Sequence, residues 1–161
     1  MRVKLTNKYN QNIDAVFTAF MNPVFVKARS EAAGARNVNV TISKTGGIYT
    51  LTTVRDIPSN VPHILTKFIP AWSRATQVET WRSDAGGFYT GTAKGSIDGI
   101  PVSIAGRMKL SIYGAGSVNA MEALVKVHIP VVGGKMEQFG RSASLEMFAK
   151  EYRYSIANIA S

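Results

Sequence analysis

The sequence predicts an α+β fold in which a curved antiparallel sheet of about seven strands wraps around a long C-terminal helix. Short segments of alternating apolar and polar residues, separated by turn-forming residues, run from residue 38 to residue 129. Pro130 and Gly133-Gly134 end this strand-rich region, and residues 135–160 then follow a helical pattern. Such a helix is about 39 Å long, close to the width of a small domain, so a sheet can close around it.

One strand and two short helices are predicted before the main sheet. Residues 2–9 alternate basic and apolar side chains, which is typical of a half-buried strand. Asn12 can cap a short helix, and Asn22-Pro23 has the pattern of a cap followed by the first residue of a second helix. Gly34 is expected to end this second helix.

The other strands are predicted to form an antiparallel meander. A hairpin of residues 38–43 and 48–56 is rich in Thr, Val and Ile. Further strands are predicted at residues 74–83, 88–97, 102–113 and 117–129, each separated from the next by a glycine-containing turn. Alternation is clearest in the third of these four segments, where the even-numbered positions are apolar or glycine and should face inward.

The C-terminal helix carries two apolar stripes. The first consists of Met136, Phe139, Ala143 and Met147, and the second of Leu145, Phe148, Tyr152, Ile156 and Ile159. One stripe should face the sheet. The other must be covered by the short helices, by a bend or by a second chain, so a homodimer is one of the open alternatives.

Length and composition are those of one domain, residues 1–161. The chain has 161 residues, of which 45% are hydrophobic, and it has no cysteine, which excludes disulfides, thiolate catalysis and cysteine-ligated metals. The first residues lack the apolar run of a signal peptide, and no segment has the roughly 18–20 apolar residues of a membrane span. We therefore expect a cytoplasmic protein.

Charge and motifs exclude several kinds of chemistry. The net charge of +9 favours anionic surfaces in general, but no exposed aromatic platform accompanies the basic residues, so nucleic acid is a disfavoured partner. His63 and His128 are the two histidines, and neither has a carboxylate at the spacing of a metal site or a catalytic triad. Phosphate-binding, dinucleotide-binding and nucleophile-elbow motifs are absent. No metal and no cofactor is predicted.

Three segments carry a resemblance to a known superfamily. They are Asn-Pro-Val-Phe-Val at residues 22–26, Gly-Ser-Ile-Asp-Gly-Ile-Pro-Val at residues 95–102 and Ile-Pro-Val-Val-Gly-Gly-Lys-Met-Glu at residues 129–137. With the order of elements, they resemble the helix-grip (START-like, SRPBCC) superfamily of lipid-transfer domains, polyketide cyclases, coenzyme-Q-binding proteins and pollen-allergen-like proteins, and within it an uncharacterised bacterial branch. The resemblance covers nearly the whole chain and implies the helix-grip fold, with a cavity for an apolar small molecule. These motifs specify a fold rather than a chemistry.

Residues 56–73 form a flap, bounded by prolines, between the hairpin and the next strand. The apolar residues of the flap, Val61, Ile64, Leu65, Phe68, Ile69 and Trp72, fall at the spacing of one helical face. The flap is either a lid over a ligand or a plug of ordinary core, and the resemblance favours the lid.

Nine residues are candidates for contact with the ligand, because aromatic side chains bury large areas and methionine adapts to irregular shapes. They are Phe25, Leu65, Phe68, Trp72, Trp81, Met108, Met121, Phe139 and Met147. The alternative is that they are ordinary core residues. Gly91, Ala93 and Gly95 should leave the inner wall of their strand bare, which makes room for a ligand or for a bulky neighbour, or marks a bend of the sheet.

Glu79 is the strongest candidate for acid–base catalysis. It shares a strand face with Gln77 and Trp81, so an inward indole implies an inward carboxylate that could transfer protons. The alternative is a carboxylate on the outer face, close to Arg55 or Arg82, because a strand bulge reverses such a parity. Tyr89 is a second candidate for proton transfer.

A basic outer face is implied by the helix-grip arrangement, in which the first strand pairs with the last strand and the last pairs with its predecessor. This arrangement brings together Arg2, Lys4, Lys8, Arg107, Lys109 and Lys126. They could hold the protein against an anionic membrane while the flap faces the bilayer. The alternative is that they provide solubility.

Three functions are consistent with these observations. The first is a non-catalytic carrier or sensor of a hydrophobic small molecule such as a lipid, a quinone or a polyketide. The second is an enzyme of the polyketide cyclase or aromatase type that uses Glu79. The third is an interaction module whose second helical stripe binds a partner and whose interior is filled by side chains.

Overall fold

The computed structural model describes residues 1–59 and 61–160, which form seven strands, three α-helices and a 3-10 turn. The strands are β1 (Arg2–Tyr9), β2 (Arg36–Thr45), β3 (Ile48–Pro58), β4 (Trp72–Asp84), β5 (Phe88–Ile97), β6 (Ile100–Tyr113) and β7 (Gly116–Val127). The helices are α1 (Ile13–Phe20), α2 (Pro23–Ala32) and α3 (Gly133–Asn158), and the 3-10 turn is His63–Leu65. Among the residues described, none of the helices combines the length and hydropathy needed to cross a bilayer.

The seven strands form one curved antiparallel sheet in the order β1-β7-β6-β5-β4-β3-β2. Consecutive strands pair with each other from β2 to β7. Strand β1 pairs with β7 and forms the edge of the sheet opposite β2. Helices α1 and α2 connect β1 at one edge to β2 at the other edge. The predicted α+β class and the helix-grip description are confirmed.

The two short helices begin at the predicted caps. The side chain of Asn12 accepts a hydrogen bond of 2.9 Å from the backbone N–H of Ala15. The side chain of Asn22 accepts one of 3.0 Å from the backbone N–H of Val24, and Pro23 occupies the first turn. An asparagine cap satisfies N–H groups that have no partner inside the helix, which is why both helices begin there.

Two separate clusters of buried residues lie at opposite ends of the sheet. The aromatic cluster contains Tyr9, Ile13, Val16, Phe17, Phe20, Trp81, Leu110 and Ile159. The flap cluster contains Leu65, Ile69 and Met136, with partly buried residues such as Ile100 around it. Strand β6 connects the two ends, since it contributes Ile100 at its start and Leu110 near its end. A region that neither cluster fills therefore lies between them.

Candidate functional site

A cavity of about 500 Å³ lies between the inner face of the sheet and α3. Its wall is built by the inward side chains of β1 and of β3 to β7, by one side of α3, and by parts of α1 and α2. Ligand cavities in proteins typically enclose about 300–1,000 Å³, so this one has the size of a small-molecule site.

The register of the strands explains why side chains do not fill this cavity. Ala93 of β5 pairs with Gly106 of β6, and Gly106 pairs with Ala123 of β7. Three of the smallest side chains thus form a continuous row across the centre of the inner face, which we call the small-residue row. The cavity wall on α3 includes Gly140, Ala143 and Ser144, which are small as well. Because the side chains on the sheet and on α3 are too short to meet here, a space remains between the two surfaces.

Five of the nine predicted contact residues lie in the cavity wall. They are Trp81, Met108, Met121, Phe139 and Met147. Trp81 also belongs to the aromatic cluster, and its indole covers Gly91 of β5, where a Cβ atom would come within 2.8 Å of the ring. Gly91 therefore makes room for a bulky neighbour rather than for a ligand.

The other four predicted contact residues lie outside the wall. Phe25 packs against the ring of Tyr154, with a centroid distance of 5.6 Å. Leu65 is buried in the flap cluster. Phe68 and Trp72 are partly exposed to solvent. The guanidinium group of Arg36 stacks over one face of the Trp72 ring, 3.6 Å from its centroid.

The flap differs from the predicted helical face. Residue 60 lies outside the described residues, and the part that follows contains a 3-10 turn and further turns instead of an α-helix. Leu65 and Ile69 point inward, whereas Ile64 is exposed. Ile69 reaches the cavity wall. Three prolines within 13 residues limit any helix here to about two turns, which favours short turns over a longer helix.

Glu79 lies on the inner face and belongs to a polar network in the cavity wall. Its Oε2 atom accepts a hydrogen bond of 2.8 Å from the indole N–H of Trp81, and its Oε1 atom accepts one of 2.5 Å from Nε2 of Gln77. The Oε1 atom of Gln77 accepts a long bond of 3.4 Å from Nη2 of Arg55. The network therefore runs from a cation through an amide to an anion.

Arg55 is the functional candidate that our sequence interpretation missed. Its side chain lines the cavity and is only 8% exposed. Leu51, Thr53 and Arg55 alternate along β3 and are all buried, so they share the inner face. The signal was present in the sequence, because the same alternation places every second residue of this strand inward.

Tyr9 and Tyr89 differ in their access to the cavity. Tyr9 lines it, and burial raises the pKa of Tyr9 to about 12. Tyr89 lies outside the wall: its ring stacks on Phe17 at 3.8 Å, and its hydroxyl donates a 3.0 Å hydrogen bond to Asp14. Burial, followed by this bond to Asp14, raises the pKa of Tyr89. Tyr89 is therefore not placed for proton transfer to a molecule in the cavity.

The six basic residues of β1, β6 and β7 are exposed on the outer face of the sheet. Glu122 lies among them and pairs with Arg2 at 3.3 Å and with Arg107 at 3.9 Å. This face is therefore less positive than the six residues alone suggest.

The two histidines are exposed, and His128 bonds to Ser103 at 3.0 Å. Within residues 1–59 and 61–160, no group of three or more His, Asp or Glu side chains has the placement of a metal site.

The curved sheet, the long C-terminal helix and the cavity between them define a protein of the helix-grip class. The chain belongs to the DUF2505 family, a family of unknown function whose model matches residues 4–156. It is 25% identical over 158 residues to the uncharacterized protein Rv0481c of Mycobacterium tuberculosis, which covers 91% of this chain and 90% of that protein.

Two solved structures show the same fold. The di-domain ARO/CYC BexL of the BE-7585A biosynthetic pathway is similar with a TM-score of 0.65 and 10% identity, over 100% of this chain and 50% of that one. Ara h 8.0201 is similar with a TM-score of 0.54 and 11% identity, over 98% of this chain and 99% of that one. At 10% and 11% identity, these similarities show a shared fold and do not indicate a shared function.

Proposed function

We propose that this protein binds a hydrophobic small molecule between the sheet and α3 and acts as a carrier or sensor of that molecule. The observation that carries the proposal is the cavity of about 500 Å³, whose wall contains the small-residue row and several apolar side chains. Burial of roughly 300 Å² of apolar ligand surface would contribute about 7.5 kcal/mol, from which the cost of association is subtracted. Such binding needs no catalytic group.

A neutral apolar dye tests this proposal directly. N-phenyl-1-naphthylamine fluoresces when it leaves water, so titration with the purified protein should give a saturable signal. Ala123→Phe should weaken dye binding about 10-fold or more, because the new ring projects from the small-residue row into the cavity. Ala120→Phe, on the exposed face of the same strand, is the matched control and should bind like the unmodified protein.

Native mass spectrometry of freshly purified protein gives a second readout. A bound compound should appear as a mass above that of the chain and should disappear in Ala123→Phe. Absence of any bound compound, together with dye binding that Ala123→Phe leaves unchanged, would contradict the proposal.

A polyketide cyclase or aromatase activity is the second candidate. The placement of Glu79 in the cavity wall, within a hydrogen-bonded network, favours it, and the ARO/CYC protein BexL has the same fold. In this case Glu79 would transfer a proton at a carbon of the bound substrate. Glu79→Gln should lower turnover of a linear poly-β-ketone mimic by about 100-fold or more while dye binding is retained. Equal turnover in the two proteins would remove this role from Glu79.

A further inference from the structure

We propose that the molecule bound in this cavity carries an anionic group, a carboxylate or a phosphate, which Arg55 and Ser73 bind. This inference rests on the proposed function and names the chemical class of its ligand. It explains two polar groups in the cavity wall that the binding of a purely apolar molecule leaves without a role.

Arg55 is a buried cation, and the described residues supply no counter-ion for it. In the described part of the chain, no carboxylate oxygen lies within 4.0 Å of its guanidinium group. Its contacts are the 3.4 Å bond to Gln77 and a 3.8 Å contact from Nη2 to the sulfur of Met147. A guanidinium group has five N–H donors, so most of its hydrogen-bonding capacity faces the cavity unused. Buried arginines are nearly always paired, because an unpaired charge is costly to remove from water.

Ser73 supplies a second free donor on the same surface. Its hydroxyl oxygen is buried and has no hydrogen-bond partner among the described residues, and the residue lines the cavity. Ser73 pairs with Ile57 of β3, and Arg55 pairs with Ala75 of β4, so Ser73 and Arg55 are diagonal neighbours on the inner face. Such neighbours are about 7–8 Å apart at their backbones. Gln77, which accepts the bond from Nη2 of Arg55, is the diagonal neighbour on the other side of Ala75. We therefore place the anion between Ser73 and the N–H groups of Arg55 that Gln77 leaves free.

Glu79 does not fill the place of this anion. Its Oε2 atom accepts a bond from the indole of Trp81 and its Oε1 atom one from Gln77, and among the described residues it forms no ion pair with Arg55. Gln77 lies between Glu79 and Arg55 along the network and keeps the two charges apart. Carboxylates and phosphates match the planar fork of arginine, because two parallel N–H groups can bind two oxygens at once.

Three probes with the same alkyl chain test the inference: dodecanoate, dodecyl phosphate and dodecanol. Each is measured by its displacement of N-phenyl-1-naphthylamine, which is uncharged. We expect dodecanoate and dodecyl phosphate to displace the dye at concentrations about 10-fold or more below that of dodecanol, since hydrogen bonds to a charged group are the strong ones. Comparison of the first two probes then distinguishes a carboxylate ligand from a phosphate ligand.

Arg55→Met should remove this preference and leave dodecanol unchanged. Arg82→Gln is the matched control, because it removes the same positive charge from an exposed position on β4 and should keep the preference. Ser73→Ala should reduce the preference by a smaller factor, and Arg55→Lys should retain part of it, because lysine keeps the charge but not the fork.

The thermal midpoint provides an independent readout. Because Arg55 has no counter-ion among residues 1–59 and 61–160, Arg55→Met should unfold at the same temperature as the unmodified protein or at a higher one. A lower midpoint with an unchanged preference for the anionic probes would assign Arg55 a structural role and overturn the inference.

The probes separate the two proposals. If the protein binds the dye but dodecanol and dodecanoate displace it equally well, the inference of an anionic ligand is overturned and the proposed function remains intact. A preference that survives in Arg55→Met would overturn it too, because the net charge of +9 would then be its cause. Failure of the dye and of all three probes to bind would overturn the proposed function and the inference with it.

Discussion

The two ends of the sheet are closed in different ways. At one end, the aromatic cluster buries eight residues, and the rings of Phe17, Tyr49 and Trp81 meet edge to face. At the other end, the flap cluster buries three residues, and the flap leaves Ile64 and Phe68 exposed. Local opening requires least free energy where few apolar contacts are buried. We therefore expect the aromatic end to hold the fold together, and the flap end to be the side at which the cavity opens most readily.

The largest effect is expected from Phe17→Ala at the aromatic end. Phe17 is 6% exposed and contacts three aromatic rings, so its loss should lower the free energy of unfolding by about 3–5 kcal/mol. Urea unfolding followed by circular dichroism measures it. Val24→Ala, on the exposed side of α2, is the control and should change this free energy by less than about 0.5 kcal/mol. A loss below about 1 kcal/mol for Phe17→Ala would contradict the assignment of stability to this end.

Leu65→Ala at the flap end should have a smaller effect on the whole molecule. Leu65 is buried in the flap cluster, and we expect a loss of about 2 kcal/mol, with faster release of the dye. Hydrogen exchange should accelerate in residues 63–69 and remain slow in β6. Ile64→Ala is the matched control, because Ile64 is 58% exposed in the same turn. Exchange that accelerates equally in β6 would show that the two ends open together.

The last effect in this comparison is a pH dependence that is confined to the aromatic end and appears only above pH 10. The ordinary pKa of tyrosine is 10.0, and burial raises the pKa of Tyr9 in the folded protein to about 12. Below pH 10 the Tyr9 hydroxyl is protonated in both the folded and the unfolded protein, so the free energy of unfolding does not depend on its titration. Between pH 10 and pH 12 the unfolded chain loses its proton first, so the free energy of unfolding should fall by roughly 2 kcal/mol.

Tyr9→Phe isolates this contribution from the titration of the lysines. The difference in unfolding free energy between the two proteins should change across pH 10–12 and should be constant between pH 7 and pH 9. A constant difference over the whole range would mean that the Tyr9 hydroxyl titrates as it does in water.

Much of the fold follows from patterns that lie within one element. Strand β5 coincides with its predicted range, and the two asparagine caps set the starts of α1 and α2. Strand β7 ends at Val127, two residues before the predicted end, and α3 begins at Gly133 rather than at residue 135. The flap was less predictable, because apolar residues at helical spacing also suit a chain of short turns between prolines.

The candidate site was predictable where it depends on the periodicity of one strand or one helix. Alternation places Trp81, Met108 and Met121 on the inner face, and the structure places them in the cavity wall. The small-residue row depends instead on the register between β5, β6 and β7. Alternation along β5 indicated Ala93 as a bare inner position, but its alignment with Gly106 and Ala123 gave no local signal, because register is set by the turns and by packing of the whole sheet.

The small-residue row has a consequence for the evolution of this family. Its three members lie on different strands and line the same cavity, so a change from Ala93 or Ala123 to valine or leucine adds two or three carbon atoms and narrows the cavity. Glycine at either position widens it. Under the proposed function, substitutions at these two positions would fit larger or smaller ligands in relatives, without altering a turn or the pairing of any two strands.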